Sequence, residues 1–241
     1  TCVSGSPASS NTITMTVNAN VTASVSISAS PSSTICSGTN VTFTAVPTNG
    51  GTTPSYQWKK NGTNVGTNSP SYSDATLANG NTINCVMTSN ATCVSGSPAS
   101  SNTITMTVNP NLPASVSISA SPSSTICTGT SVTFTAVPTN GGSTPSYQWK
   151  KNGVNVGTNS TTYTDAGLAN GNTINCVMTS NATCATGSPA TSNTISMTVN
   201  FGPTISSFAP SSGVLGTSVV ITGTNFLTAT QVQFNSVNAS F

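Results

Sequence analysis

The side chains that could carry chemistry are few, and they recur in two similar patterns. Charged residues make up 2% of the 241 residues, and His, Arg and Glu are absent; the charged residues are Lys59, Lys60, Lys150, Lys151, Asp74 and Asp165. General acid–base catalysis needs a group that titrates near the working pH, usually His or a carboxylate with a shifted pKa. A nucleophilic Ser or Cys needs a base beside it. We therefore predict that the chain is not an enzyme and uses no cofactor.

The same scarcity argues against metals, nucleic acids and membranes as partners. Calcium sites need several carboxylates, and catalytic zinc sites usually need His, so no metal site is expected. A net charge of +2 provides no basic patch for phosphates, and we interpret the lysine pairs as solvated positions beside hairpin tips. The longest apolar runs are far below the ~20 residues of a membrane-spanning helix, so this segment is not expected to insert into a membrane.

The chain is an internal repeat. Residues 19–109 align without a gap with residues 110–200, a period of ~91 residues in which about 15 positions differ, mostly by Ser/Thr exchange or by single surface substitutions. Residues 1–18 have the same sequence as residues 92–109. We expect them to be the C-terminal strand or strands of a preceding repeat, in a parent protein that extends upstream.

The elements that must position these residues are β-strands. The segments "SVSISAS", "VTFTA" and "NTITMTV" alternate apolar and hydroxyl side chains, the period of a half-buried strand. Asn61-Gly62 indicates a two-residue hairpin. About seven short strands per repeat predict an all-β fold of tandem immunoglobulin-like β-sandwiches, arranged as an elongated rod. The linkers "NANVTAS" and "NPNLPAS" are short, and Pro110 and Pro113 should stiffen the second.

Each repeat carries one tryptophan, Trp58 or Trp149, between two cysteines. The order Cys…Trp…Cys is typical of immunoglobulin-type sandwiches, in which the tryptophan lies in the core. We therefore predict core positions for both tryptophans. The alternative is an exposed platform on which a sugar ring would stack.

The cysteines predict disulfides in an oxidising compartment, because the sequence offers no CxxC pair and no His for zinc. Cys36 falls at the turn between predicted strands A and B and Cys85 at the start of strand F, the same end of an immunoglobulin sandwich. We favour the pairings Cys36–Cys85 and Cys127–Cys176; the rival pairing within a repeat is Cys36–Cys93. Three cysteines per repeat leave at least one over or bonded outside its own repeat. The surplus or inter-domain cysteines are Cys2, Cys93 and Cys184.

The pattern changes after Asn200. The spacing P-x-S-G…G-x-x-V-x-I-x-G-x-N-F, from Pro210 to Phe226, resembles the start of an IPT/TIG domain, which has an immunoglobulin-like fold. The resemblance implies a truncated IPT/TIG domain over residues 201–241. The predicted organisation is therefore residues 1–18, 19–109, 110–200 and 201–241.

The phrases "ICSGTNVTFTAVPTNGG", "YQWKKNGTNVGTN" and "CVMTSNATCVSGSPASSNTITMTVN" resemble immunoglobulin/PKD-like repeats of very large Bacteroidetes surface proteins. That group includes gliding-motility adhesins of the SprB type and is typically exported by the type IX secretion system. The resemblance covers about residues 1–200. It implies a secreted adhesin at the bacterial cell surface, or a surface filament.

Near-identical copies suit length better than chemistry, so we expect a stalk or spacer that gives reach and mechanical stability. One alternative is a carbohydrate-binding adhesive module that uses Tyr72, Tyr163 or the Asn-rich hairpin tips. Another is a filament subunit joined to identical chains by strand addition. The expected partners are neighbouring immunoglobulin-like repeats of the same long chain, with surface glycans or identical chains in the alternatives.

Overall fold

The alternating sequence segments fold into strands throughout the chain. The structure is a computed structural model that describes residue 5, residues 7–234 and residues 237–239. Its described residues contain no α-helix and one 3-10 turn, Phe226–Thr228. The chain divides into two compact units, Thr1–Asn111 and Leu112–Phe241. This confirms an all-β fold of tandem immunoglobulin-like sandwiches.

The first unit contains twelve strands. In chain order these are β1 (Val21–Thr22), β2 (Ser24–Ser30), β3 (Thr34–Cys36), β4 (Val41–Thr48), β5 (Ser55–Lys60), β6 (Thr63–Val65), β7 (Ser71–Asp74), β8 (Thr82–Thr88), β9 (Val94–Ser95), β10 (Ala99–Ser100), β11 (Ile104–Thr105) and β12 (Thr107–Asn109).

Two antiparallel sheets form the sandwich of the first unit. One sheet has the order β2-β4-β7, and the other has the order β10-β8-β5-β6, with β11 also on β8. The inward side chains of both sheets form one core. At its centre the ring of Phe43 lies 6.4 Å from that of Trp58 and 6.1 Å from that of Tyr72. Trp58 is fully buried, and its indole N–H donates to the carbonyl of Ser69 at 2.9 Å.

Two short parallel pairs join the start of the repeat to its end. Strand β1 pairs with β9, and β3 pairs with β12. The amide of Thr107 extends the second pair by donating to the carbonyl of Ser33 at 2.8 Å, and that of Ser37 donates to the carbonyl of Asn109 at 2.9 Å. Two strands near the start of the repeat, β1 and β3, are therefore each bonded in parallel to a strand near its end, β9 and β12.

The second unit begins with the same arrangement. Its strands are β13 (Leu112–Pro113), β14 (Ser115–Ser121), β15 (Thr125–Cys127), β16 (Val132–Thr139), β17 (Ser146–Lys151), β18 (Val154–Val156), β19 (Thr162–Asp165), β20 (Thr173–Thr179), β21 (Ala185–Thr186), β22 (Ala190–Thr191), β23 (Ile195–Ser196) and β24 (Thr198–Asn200). The sheet orders are β14-β16-β19 and β18-β17-β20-β22, the parallel pairs are β13–β21 and β15–β24, and Trp149 is fully buried.

The remaining strands belong to the segment that resembles an IPT/TIG domain. β25 (Thr204–Ala209) pairs antiparallel with β26 (Val220–Thr224), and β27 (Val232–Phe234) pairs with β28 (Val237–Ala239). Large apolar side chains of this segment, such as Phe208, are exposed, so its strands bury little apolar surface.

The predicted hairpin turn is confirmed. Asn61 and Gly62 both have positive φ, 50° and 79°, as a primed two-residue turn requires. Asn152 and Gly153 repeat the geometry, with φ of 52° and 79°. Asparagine and glycine are the residues that adopt this left-handed conformation at least cost.

The predicted linkers are shorter than the sequence suggested. Val21–Thr22 and Leu112–Pro113 were assigned to linkers, but they form β1 and β13. Each pairs in parallel with a segment of its own repeat, Val94–Ser95 or Ala185–Thr186. Only Pro110 and Asn111 therefore separate the last strand of the first unit from the first strand of the second.

Residues 7–20 are described by the structure and form no strand. Residues 7–18 nevertheless have the same sequence as residues 98–109. Met15 is 79% exposed, whereas its counterpart Met106 is 1% exposed. Ile13 and Val17 are exposed on the same alternating face. The segment thus shows an apolar edge that the complete repeats bury.

The buried tryptophan gives a stability prediction. We expect Trp58→Ala to lower the free energy of unfolding of the first repeat by roughly 3–5 kcal/mol, because it removes the largest core side chain and leaves a cavity. Denaturant unfolding followed by circular dichroism would measure this loss, while the fluorescence of Trp149 reports the second repeat. Val46→Ala is the matched control, since Val46 is exposed on β4. An equal loss in both variants would contradict the assigned core.

Candidate functional site

The charged residues form one ion-pair cluster in each repeat. In the first cluster, the ammonium of Lys60 at the end of β5 donates to the carboxylate of Asp74 at 2.7 Å. The hydroxyl of Tyr72 donates to the same carboxylate at 2.9 Å, and the amide and hydroxyl of Thr76 each donate at 2.7 Å. The side chain of Asp74 is 7% exposed. Four donors therefore surround one buried carboxylate.

The second cluster has the same geometry with one donor fewer. Lys151 and the hydroxyl of Tyr163 donate to the carboxylate of Asp165, both at 2.8 Å. The amide of Gly167 donates at 2.7 Å. Gly167 stands where the first repeat has Thr76, so it supplies no hydroxyl.

Burial and hydrogen bonding act in opposite directions on these carboxylates. Burial would raise the pKa of Asp74, but hydrogen bonds from Lys60, Thr76 and Tyr72 outweigh it and hold that pKa well below its usual range. The pKa of Asp165 is lowered for the same reason. Burial and then the hydrogen bond to the aspartate raise the pKa of Tyr72 to about 12. Each carboxylate therefore stays ionised at neutral pH.

This arrangement stabilises the fold and offers little to a substrate. Each oxygen of the Asp74 carboxylate accepts two hydrogen bonds from donors of its own repeat, so the carboxylate is not poised to accept a proton from another molecule. The described residues contain no group of three or more His, Cys, Asp or Glu that could hold a metal ion.

Two sequence-based interpretations, one of the lysines and one of the tyrosines, need correction here. Lys60 was interpreted as a solvated position, but it is paired with Asp74; Lys151 is likewise paired with Asp165. Tyr72 was a candidate exposed contact for sugars, but it is half-buried, stacks on Phe43 and bonds the aspartate. Tyr163 occupies the equivalent place. The sequence signal for this cluster was the repeated pattern Tyr-x-Asp, in which the aspartate lies 14 residues after a lysine.

The cysteines differ from the predicted pairings. Cys36 and Cys184 are each disulfide-bonded, whereas Cys85, Cys93, Cys127 and Cys176 are free. The predicted bonds Cys36–Cys85 and Cys127–Cys176, and the rival Cys36–Cys93, are therefore not formed. The reason is the strand on which each cysteine lies: Cys36 ends β3, whereas Cys85 lies on β8 opposite Trp58 and points into the core. Cys2 lies outside the described residues.

The free thiols are of two kinds. Cys85 and Cys176 are fully buried, and burial raises the pKa of each to about 11. Since the thiolate is the reactive form, these two are inert core residues. Cys93 and Cys127 are exposed.

No helix among the described residues has the length and hydropathy needed to cross a bilayer.

Comparison with protein families identifies the last segment. Residues 203–241 match the model of the IPT/TIG domain, which confirms the resemblance of this segment. No curated protein matches the chain significantly.

Solved structures with similar folds include the human OSCAR ligand-binding domain, with 15% identity, a TM-score of 0.28, and coverage of 72% of this chain and 98% of that one. Fibronectin(III)-like modules of CbhA from Clostridium thermocellum show 14% identity, a TM-score of 0.34, and coverage of 72% and 94%. The N-terminal eight Ig domains of Down Syndrome Cell Adhesion Molecule isoform 1.30.30 show 14% identity, a TM-score of 0.45, and coverage of 78% and 25%.

We expect Asp74→Asn to destabilise the first repeat by roughly 2–4 kcal/mol at pH 7, because the amide turns a donor toward Lys60 and Tyr72. The lowered pKa of Asp74 means that its stabilisation is complete above the pKa of about 3.9 that an aspartate has in unfolded chains, and is lost as pH falls below it. Asp74→Asn should remove this acid dependence from the first repeat. Urea unfolding between about pH 7 and pH 2 would measure both effects.

Asp165→Asn is the matched variant in the second repeat. Its cost should be smaller, because Asp165 has one donor fewer than Asp74. An Asp74→Asn protein whose first repeat still loses stability in acid as steeply as the wild type would refute this role of the cluster.

The two kinds of thiol should differ in reactivity. Raising a thiol pKa from 9.0 to about 11 lowers its thiolate fraction about 100-fold near pH 8. We expect iodoacetamide to modify Cys93 and Cys127 quickly and Cys85 and Cys176 more slowly by at least that factor, with all four equal in denaturant. Peptide mapping by mass spectrometry would give the rates. Equal rates in the native protein would show that the buried thiols are wrongly assigned.

Proposed function

We propose that this chain is a spacer segment of a secreted bacterial cell-surface adhesin or surface filament, which gives reach and mechanical stability without catalysis. The observation that carries the proposal is that the last strand of each repeat pairs in parallel with a strand near its start, β12 with β3 and β24 with β15.

A parallel strand pair that joins the start of a repeat to its end resists tension well. A pull on the two ends of a repeat drives β3 toward its N-terminus and β12 toward its C-terminus. Because the two strands are parallel, the opposite pulls slide one strand along the other. All hydrogen bonds between the two strands therefore carry the force at the same time. Antiparallel terminal strands would instead open one bond at a time. The pairs β1–β9 and β13–β21 add a second parallel contact to each repeat.

Repetition and short connections suit a spacer. The two sandwiches have the same sheet orders and the same inward residues, so an additional copy adds length and no new chemistry. The connection Pro110–Asn111 is too short to act as a long flexible tether.

The surface chemistry supports an extracellular site. The exposed strand faces carry Ser, Thr and Asn, and disulfides occur mainly in oxidising compartments. The Bacteroidetes origin, type IX export and gliding motility are part of the proposal and rest on the resemblance of residues 1–200. Antibody labelling of intact cells that express the full-length gene would test the location.

Neither alternative function has comparable support. The sugar-binding module loses its aromatic candidates, because Tyr72 and Tyr163 are tied to the clusters. Strand addition by residues 7–18 would have to displace residues 98–109 of another copy, whose sequence is the same. Such an exchange replaces a strand with an identical strand and gains no contacts.

Thr107→Pro tests the spacer function. Proline removes the amide that donates to Ser33, so the parallel pair at this end of the first repeat should fail at a lower force. We also expect a loss of roughly 1–3 kcal/mol in the free energy of unfolding of that repeat. Single-molecule force spectroscopy on the whole chain would measure the force, with the second repeat as an internal reference.

Thr107→Val is the matched control because it keeps the backbone amide, and Thr198→Pro should transfer the effect to the second repeat through its bond to Ser124. If Thr107→Pro and Thr107→Val unfold at the same force, the pair does not bear the load and the proposal loses its basis.

A further inference from the structure

Each repeat contains three asparagine–glycine pairs, the dipeptide in which an asparagine side chain most readily loses its amide. Glycine has no side chain, so its backbone nitrogen can approach the side-chain carbonyl carbon of the preceding asparagine. Asparagine is accordingly one of the thermolabile residues of proteins. The pairs are Asn49-Gly50, Asn61-Gly62 and Asn79-Gly80, with Asn140-Gly141, Asn152-Gly153 and Asn170-Gly171 in the second repeat.

Two of the three pairs lie in turns in which the asparagine itself is left-handed. Asn49 and Asn61 have φ of 53° and 50°. The backbone amide of Asn61 donates to the carbonyl of Thr82 at 2.9 Å, and its side-chain oxygen accepts the amide of Thr82 at 2.9 Å. The side-chain amide of Asn49 donates to the carbonyl of Thr22 at 2.7 Å. Asn61 is thus tied to β8, an interior strand, and Asn49 is tied to β1.

The third pair is tied to the last strand of the repeat. The side-chain oxygen of Asn79 accepts the amide of Val108 at 3.0 Å, and the amide of Gly80 donates to the carbonyl of Met106 at 2.8 Å. Val108 lies on β12, and Met106 directly precedes that strand. The two groups that would react with each other, the Asn79 side chain and the Gly80 nitrogen, are therefore held by the same short segment.

This segment, residues 106–109, is bonded along both of its edges. The amide of Val108 faces Asn79, whereas the amide of Thr107 faces the other way and donates to the carbonyl of Ser33 at 2.8 Å. A short segment with few bonds can open without unfolding of the whole domain. Its opening would release Asn79 and Gly80 together, both of which are exposed to water.

The second repeat has the same contacts. The side-chain oxygen of Asn170 accepts the amide of Val199 at 3.1 Å, and the amide of Gly171 donates to the carbonyl of Met197 at 2.9 Å. Val199 lies on β24, the counterpart of β12. Each repeat can therefore serve as an internal reference for the other.

We propose that Asn79 and Asn170 are sites of spontaneous deamidation, and that docking of the last strand controls whether they react. In the closed repeat the nitrogen of Gly80 is directed at Met106 and the side-chain oxygen of Asn79 at Val108, so the nitrogen is not placed to attack the side-chain carbonyl carbon. When residues 106–109 leave, both groups are released. This inference rests on hydrogen bonds within one repeat and stands whether or not the chain is a spacer.

The reaction needs water alone as co-reactant. The backbone nitrogen of Gly80 loses its proton and attacks the side-chain carbonyl carbon, Cγ, of Asn79. A C–N bond forms, the bond from Cγ to the side-chain nitrogen breaks, and that nitrogen leaves as ammonia with the proton. The product is a five-membered succinimide ring. Water opens the ring at one of its two carbonyl carbons and leaves an aspartate or an isoaspartate, without an oxidant or a reductant.

Isoaspartate would make the opening permanent. In this product the main chain runs through the former side-chain carbons, so it is one carbon longer between the α-carbon of residue 79 and the nitrogen of Gly80. The turn can then no longer direct both of its groups at Met106 and Val108, and hydrogen bonds weaken steeply when their geometry changes. A repeat that has once opened and reacted therefore holds its last strand less tightly.

The first test uses the wild-type 241-residue chain in mildly alkaline buffer, with the rate at each site measured by peptide mapping and mass spectrometry. We expect similar rates at all six pairs in concentrated guanidinium chloride and slower reaction in the native protein. Below the unfolding transition, guanidinium chloride should accelerate Asn79 and Asn170 before Asn61 and Asn152. The proposal is overturned if Asn79 reacts as fast in the native protein as in the denatured one, or accelerates only together with Asn61.

The second test uses Thr107→Pro, which removes the amide bonded to Ser33 and should open the last strand more often. We expect the deamidation rate of Asn79 to rise roughly 5–30-fold, the range expected when a local opening equilibrium loses one hydrogen bond. The rates at Asn61 in the same repeat and at Asn170 in the other should stay unchanged.

Thr107→Val keeps the backbone amide and is the matched control, while Thr198→Pro should move the effect to Asn170. An unchanged rate at Asn79 in Thr107→Pro would show that β12 does not protect the site. An equal rise at Asn61 would show that the whole repeat unfolds, and either result overturns the proposal. Circular dichroism checks that the proline variants are folded, and the wild-type series in guanidinium chloride decides the question if they are not.

Discussion

The rest of each repeat depends on the parallel contact between its last strand and a strand near its start. Eight strands of each repeat form the two antiparallel sheets, whereas β3–β12 and β15–β24 join segments separated by most of the repeat. These pairs place Cys36 and Cys127 opposite the last residue of the final strand, and the β1–β9 and β13–β21 pairs fix the loops that carry Cys93 and Cys184. The parallel pairs thus fix both the closure of each repeat and the backbone positions of these cysteines.

Local patterns predicted most of the fold. The alternation in "SVSISAS" and "VTFTAV" matches β2 and β4, and the Asn61-Gly62 signal matches the turn. The two tryptophans lie where the order Cys…Trp…Cys suggested. What the patterns missed were β1 and β13, because two-residue strands leave no periodicity and depend on a distant partner for their bonds. They were therefore taken for linker.

Side-chain partners were harder to predict for two reasons. Some partners lie far apart in the chain, and the side of the sheet to which a side chain points depends on its position along the strand. The bond between Lys60 and Asp74 spans 14 residues and needs β5 and β7 in different sheets to bring the two together. The cysteine pairing failed because Cys85 and Cys36 were placed by their end of the sandwich alone. Inward and outward alternation along β8 sends Cys85 into the core, away from any exposed sulfur.

The pairing of Asp74 and Asp165 with lysines leaves Lys59 and Lys150 as the side chains with unneutralised charge among the described residues. Dissolved ions act on proteins mainly by screening exposed charges, and here almost none remain. The surface is hydrated through hydroxyl and amide groups, whose hydrogen bonds with water change little between fresh water and brine. A material built from such domains would keep its dimensions and cohesion when the ionic strength around a cell rises or falls.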